Sequence, residues 1–242
     1  MTNLLTAYTA PPTVEQKVET PKQKSNSKRV TIGSVVGAAA GIAAGVATVY
    51  GLAKKGNPAT TLMNLNYAEK DVLIVGAGAV LGGLAGGLLT DTDKNNTKPK
   101  LREASQQFFG NMVCPIGLLA AANKIYDACK INIPDVIKTG SKAAGFVNNA
   151  VKYLPKAAIT VGALVGGMEL GNTIMNKINN KIFKEKVKHD VKKEDYLVHA
   201  DDLCLTANML FKDTPNISKV TSKILPLTFI VAGSKSGMKK AD

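Results

Sequence analysis

Potential metal ligands gather at one place in the chain, where His189 and His199 are joined by Asp190, Asp201, Asp202 and Cys204. A structural zinc ion needs four such donors at characteristic spacings. These residues follow no zinc pattern and lie in a charged run, so the expectation is solvated polar groups beside a helix start. Cys114, Cys129 and Cys204 are odd in number and widely spaced, which argues against a disulfide framework and a CxxC metal site. No serine or cysteine stands in a recognisable nucleophile turn, and hydrolase chemistry has no support. Glu169 is the one acid inside a glycine-rich apolar stretch, a placement that marks ion or proton paths in other membrane proteins. Without an acidic partner, the plainer expectation is a carboxylate near lipid headgroups, paired with Lys177 or another lysine. The chain is therefore read as no enzyme, with no metal or cofactor.

Residues 71–82, reading DVLIVGAGAVLG, resemble the strand and glycine turn of a dinucleotide-binding fold. In that fold the glycines allow a tight turn and let a pyrophosphate approach a helix N-terminus. Gly76 and Gly78 fit, but Leu81 stands where the third glycine belongs, and Gly82 follows it. The run reaches Asp91 without a second strand to carry the ribose-binding acid. A soluble nucleotide-binding protein built on Gly76 to Gly82 is accordingly the third reading of the chain.

The same region fits another pattern. Gly33, Gly37, Gly41 and Gly45 stand four apart in residues 30–53, a stretch with no charged side chain. Residues 72–90 repeat the device, with Gly78, Gly82 and Gly86 on one row and Ala79, Gly83 and Gly87 on the next. This spacing sets a strip without side chains along one helix face, where another helix backbone can come close. In a soluble helix each glycine costs about 1 kcal/mol relative to alanine, and membrane helices tolerate them better. The spacing resembles that of glycine-zipper membrane proteins and implies a transmembrane hairpin. Gly162 and Gly166 point to a similar use in residues 157–176.

Four stretches compete for the bilayer, which needs about 20 apolar residues per helix. Residues 30–53 and 72–90 satisfy that length. Residues 104–123 lack charge, yet Gln106, Gln107 and Asn111 weaken them and Pro115 interrupts the hydrogen-bond ladder. Residues 157–176 carry Glu169, so these last two are marginal spans. Residues 135–154 show the clearest helical period. Val136, Gly140, Ala143, Val147, Val151 and Leu154 share one side, and Lys138, Lys142, Lys152 and Lys156 lie opposite. Pro134 precedes this helix and Pro155 closes it. It is read as an amphipathic surface helix with its lysines among headgroup phosphates, packing on other protein being the alternative.

Residues 1–29, with Pro11, Pro12 and Pro21 among polar groups, read as a disordered tail. Residues 30–176 form the membrane region and residues 177–242 a basic helical region. In the latter, Thr214-Pro215 reads as a helix start with Ile217, Val220, Ile224 and Leu227 on one stripe. Residues 225–232 are apolar, too short to span, and expected to be buried or interfacial.

The formal charge of +13 comes mainly from lysines outside the apolar stretches. That suits anionic lipid headgroups as well as nucleic acid. Only Arg29 and Arg102 are arginines and no aromatics interleave the basic runs, so no nucleic-acid partner is expected. Lysines near the spans set orientation. Those before residue 30 and those after residue 176 both want the inner side, which requires an even number of spans. Hydropathy favours four and charge favours two, because four would place Lys124 to Lys156 outside; four is adopted.

The expectation as a whole is an all-α helical membrane protein. It has a glycine-zipper transmembrane hairpin, two further marginal spans and amphipathic surface helices, and lies in a bacterial inner membrane with both termini cytoplasmic. Its role is read as structural or membrane-remodelling, through helix packing and contact with a bilayer of anionic headgroups. The alternative is a small channel or holin-like permeabilising protein. Self-association into a homo-oligomer is the functional use of the glycine rows, and packing within one chain is the plainer one.

Overall fold

Small residues spaced by four and flanked by long aliphatic side chains favour helices that approach closely. The structure, a computed structural model, describes residues 27–62, 65, 67–129, 133–184, 186, 188–199 and 217–241, without the side chains of residues 142, 194, 197, 198 and 217–225. Helix α1 runs Ser27–Gly56, α2 Glu69–Thr90, α3 Thr97–Ser105, α4 Cys114–Ala128, α5 Lys142–Phe183 and α6 Ile217–Met238. A π-helical segment, Gln106–Val113, joins α3 to α4 without a break, and a 3-10 turn, Lys193–His199, follows α5. No strand occurs among the described residues. Four helical runs, Ser27–Gly56, Glu69–Thr90, Lys94–Ala128 and Ala143–Phe183, are long and apolar enough to cross a membrane.

α1 and α2 run antiparallel, and along their contact backbone faces backbone. A Cβ on Gly37 would collide with the Gly82 carbonyl oxygen and one on Gly41 with that of Gly78. A Cβ on Gly33 would lie 2.7 Å from the Gly86 oxygen, and one on Gly45 would lie 2.8 Å from Val75 Cα. α6 lies parallel to α2 on the next row, where Gly83 meets Gly233 and Gly87 meets Gly237. Val75, Ala79, Val80, Met112, Ile116, Phe229 and Ala232 fill the core between these helices. α5 runs antiparallel to the rod formed by α3, the π segment and α4, with Gly167 against Pro115 and Gly171 against the Gly110 carbonyl.

Neither proline acts as a breaker. Residues 135–154 are not a separate surface helix: α5 begins at Lys142 and passes through Pro155 to Phe183. Before it the chain is held by Asn148, whose Nδ2 donates to the Ile137 carbonyl at 2.8 Å and whose Oδ1 accepts from Ile137 N–H at 2.8 Å. Ser141 caps the helix, its hydroxyl oxygen accepting from Ala144 N–H at 3.1 Å. A proline inside an isolated helix costs about 3 kcal/mol. Here the packing of Ala163 and Leu164 on Leu119 stabilises the turns beyond it. Pro115 is accommodated by the π register, in which Cys114 N–H bonds the Phe109 carbonyl, so that the proline enters the first turn of α4, where a missing N–H is tolerated.

Residues 71–82 are helical throughout, so the strand and turn of a dinucleotide site are not formed there. Among the described residues Gly162 packs against nothing: a Cβ there would have open space for 4 Å, and one on Gly166 would reach only Leu118 at 3.9 Å. The close approaches of α5 fall on Gly167 and Gly171 because those two face the rod. Within residues 225–232, Phe229 and Ala232 are buried, while Leu227 is exposed. The tail before Ser27 and the helix start at Thr214-Pro215 lie outside the described residues, as do the side chains of Ile217, Val220 and Ile224.

Candidate functional site at the polar end of the bundle

The helix directions bring the start of α1, the end of α2, all of α3 and the ends of α5 and α6 to one end of the bundle. Glu103, Gln107 and Asn111 recur every four residues along the rod and so share one face. Asn172, Asn176 and Asn179, spaced four and then three apart, likewise share one face of α5. Gln106, Gln107 and Asn111, which read in the sequence as weakening a span, are fully buried. Gln107 Nε2 donates to Glu103 Oε1 at 2.8 Å, and Asn111 Nδ2 donates to Gln107 Oε1 at 3.2 Å. Gln106 donates to Asn172 Oδ1, and Ser105 Oγ donates to Asn179 Oδ1 at 2.8 Å. Asn176 holds the backbone of His189 in both directions, accepting from its N–H at 2.9 Å and donating to its carbonyl at 2.9 Å. Buried amides need partners, and most of these groups find them in neighbouring side chains and in the His189 backbone, while Asn111 Oδ1 has none among the described residues.

His189 sits among charges. Its Nδ1 lies 3.5 Å from Glu103 Oε2, and its Nε2 lies 3.9 Å from Asp195 Oδ2. The second distance is beyond hydrogen bonding, and Nε2 has no such partner among the described residues. Burial alone would lower the imidazole pKa, but Asp195 and Glu103 outweigh it and hold it up at about 9. At neutral pH this histidine is a cation. Asp195 is nearly inaccessible and accepts from Lys235 Nζ at 2.7 Å and from Lys192 N–H at 2.8 Å. Burial pushes its carboxyl up, yet His189, Lys235 and that N–H together hold it well below the usual carboxylate range.

A second ion pair closes the same end. Lys100 is completely buried, with its ammonium 2.9 Å from Asp91 Oδ2, and it donates to the Gly237 carbonyl at 2.6 Å and to that of Lys239 at 3.2 Å. The carbonyls at a helix C-terminus carry partial negative charge, so one lysine of α3 both neutralises Asp91 and caps α6. Deeper in the bundle, His199 is buried against the rod, its Nε2 2.7 Å from the Asn111 carbonyl.

The sequence-derived residues fall elsewhere. The rows Gly33, Gly37, Gly41 and Gly45, and Gly78, Gly82 and Gly86, face each other, while Gly83 and Gly87 face α6. Glu169 is exposed on the outer side of α5, where no ion pair joins it among the described residues. Lys138 is exposed, Lys152 is 2.6 Å from Asp135, and Lys156 is 3.5 Å from Asp127 and lies over the Tyr126 ring. The side chain of Lys142 is not described. His189 and His199 are not solvated groups beside a helix start but are enclosed by α3, α5 and the π segment. Among the described residues no cluster of three or more metal-ligating side chains forms.

The sequence reading missed Lys100, Glu103, Asp195 and Lys235, together with Gly167, Gly171, Gly233 and Gly237. Spacing offered a signal for several: amides and an acid four apart in an apolar stretch, and glycine pairs four apart at residues 167 and 171 and at 233 and 237. Comparison of the chain with protein-family models, curated proteins and solved structures finds no match.

Proposed function

We propose that the protein is an integral membrane protein with a structural or membrane-remodelling role, built on a glycine-zipper hairpin and held to anionic lipid by its lysines. The observation that carries this reading is the outer surface of the helices. Ile32, Val36, Leu81, Leu89, Leu170 and Ile182 are each more than half exposed, an apolar surface that suits lipid and not water. Hydroxyls on the outside of α1 bond to their own helix: Thr31 donates to the Ser27 carbonyl at 2.9 Å, and Thr48 to that of Ala44 at 2.9 Å. Lipid demands such internal satisfaction.

The charge distribution supports four spans with the polar end cytoplasmic. Lys28, Arg29, Lys94, Lys98, the lysines between residues 177 and 193, and Lys235, Lys239 and Lys240 cluster at that end. At the far end, Asp135 and Asp127 pair with Lys152 and Lys156, which eases the conflict between charge and hydropathy. In a bacterial inner membrane both described ends of the chain would then face the cytoplasm. For self-association, a row open among the described residues is Ala158, Gly162 and Gly166 on α5, beside Glu169.

An alkaline carbonate wash of membranes from expressing cells tests the reading. The protein is expected to stay in the pellet, and release into the supernatant would overturn it. Cys129, exposed at the far end, reports orientation: with Cys114→Ser and Cys204→Ser, it should react with an impermeant maleimide added outside the cell. A permeabilising channel is the second reading, favoured by the row Glu103, Gln107 and Asn111 inside a candidate span. Reconstituted vesicles that hold a proton gradient with wild type as well as with Glu103→Gln and Glu169→Gln would remove it.

A further inference from the structure

We propose that the cleft at the polar end binds a phosphate-bearing anion, which at a membrane surface is the headgroup of an anionic phospholipid. The lipid source rests on the membrane reading above; the phosphate chemistry does not. The cleft measures about 490 Å³, within the size of ordinary ligand sites. Five lysines line it, Lys188 and Lys192 from the segment after α5, and Lys235, Lys239 and Lys240 from the end of α6, with His189 between the two groups.

The acids nearby do not oppose an anion, because each is already engaged. Glu103 accepts from Gln107 at 2.8 Å and faces His189, Asp195 accepts from Lys235 at 2.7 Å, and Asp190 lies 3.0 Å from Lys188. Cations still outnumber these acids. Of the carbonyls at the C-terminal end of α6, which would repel an anion, Lys100 covers that of Gly237 at 2.6 Å and, just beyond the helix, that of Lys239 at 3.2 Å. Lysine ammonium groups on separate chain segments suit a phosphate, whose oxygens accept from several directions. A bound headgroup would thus tie the segment around Lys192 to the end of α6.

The test uses the full-length protein in mild detergent, titrated with short-chain phosphatidylglycerol, with phosphatidylcholine of equal chain length, and with inorganic phosphate, read by native mass spectrometry. Phosphatidylglycerol is expected to bind wild type and the far-end control Lys54→Gln/Lys55→Gln alike. It should bind Lys192→Gln/Lys239→Gln/Lys240→Gln at least about tenfold more weakly. Displacement by inorganic phosphate would support the site with a soluble phosphate as its source, and no displacement would support it with lipid as its source. Undiminished affinity in the triple variant, or equal binding of phosphatidylcholine, would overturn the proposal. If the triple variant has a lowered unfolding temperature without ligand, Lys192→Gln, at an exposed position, replaces it under the same criteria. The carbonate wash reports separately on the membrane reading, since it does not depend on these lysines.

Discussion

Between Gly33 and Gly45 the first two helices meet largely through backbone, whereas at the polar end α3 meets α5 and the segment after it through amides and charges. The first contact is steric: nothing in it titrates, and its strength depends on how close two helix axes can come. The second is chemical, and each member depends on a particular partner, so that losing one strands another. One chain therefore joins a region that responds only to side-chain volume to a region that responds to protons and charge.

The largest way to break this comparison is Lys100→Met. It leaves the buried Asp91 carboxylate and two helix-terminal carbonyls without their cation, and a loss of about 3–5 kcal/mol is expected, measured as unfolding in detergent. Gly41→Leu strikes the steric region, where the Gly78 carbonyl oxygen occupies the space of the new side chain. A loss of about 3 kcal/mol is expected, with no change in pH dependence.

Proton titration sharpens the contrast. His189 has a folded pKa raised to about 9, so its contribution is complete below about 6.5 and lost as pH rises through 9. Asp195 is shifted down, so its contribution holds above about pH 4 and is lost as pH falls through its lowered value. Stability should fall by on the order of 2 kcal/mol on the alkaline side, and His189→Gln should flatten that limb. Gly162→Leu, with open space around it, should change stability by less than about 0.5 kcal/mol. A large loss there would mean that α5 has a partner outside the described residues.

Much of the steric region could be read from the chain. Glycines at a strict four-residue interval in an uncharged stretch leave a helix one face that only another backbone can fill well, and the rows at Gly37 and Gly82 do face each other. Spacing could not say which helix each row meets. Gly83 and Gly87 turn toward α6, a partner separated from them by more of the chain than α1. Gly162 faces no described residue within 4 Å, and spacing alone cannot tell an occupied face from an open one.

The polar region was hidden for a physical reason. Hydropathy scores Gln107 and Asn111 as costs, and it sees neither Glu103 one turn earlier on the same rod nor Asp195, which arrives from another segment, as a partner for Gln107. The prolines misled in the same way, because a rule for isolated helices knows nothing of a π register or of packing by a neighbouring helix.

The position of α6 bears on the order in which the bundle is completed. This helix follows all the other described helices in the chain, yet it fills the groove over Gly83 and Gly87 and supplies the carbonyls that Lys100 holds. During synthesis the α1–α2 hairpin must therefore wait with that groove open, and Lys100 with only Asp91 for company, until ribosomes have made residues 217–238. The nascent protein is a different object from the finished one, with an exposed glycine surface for insertion factors or proteases to meet.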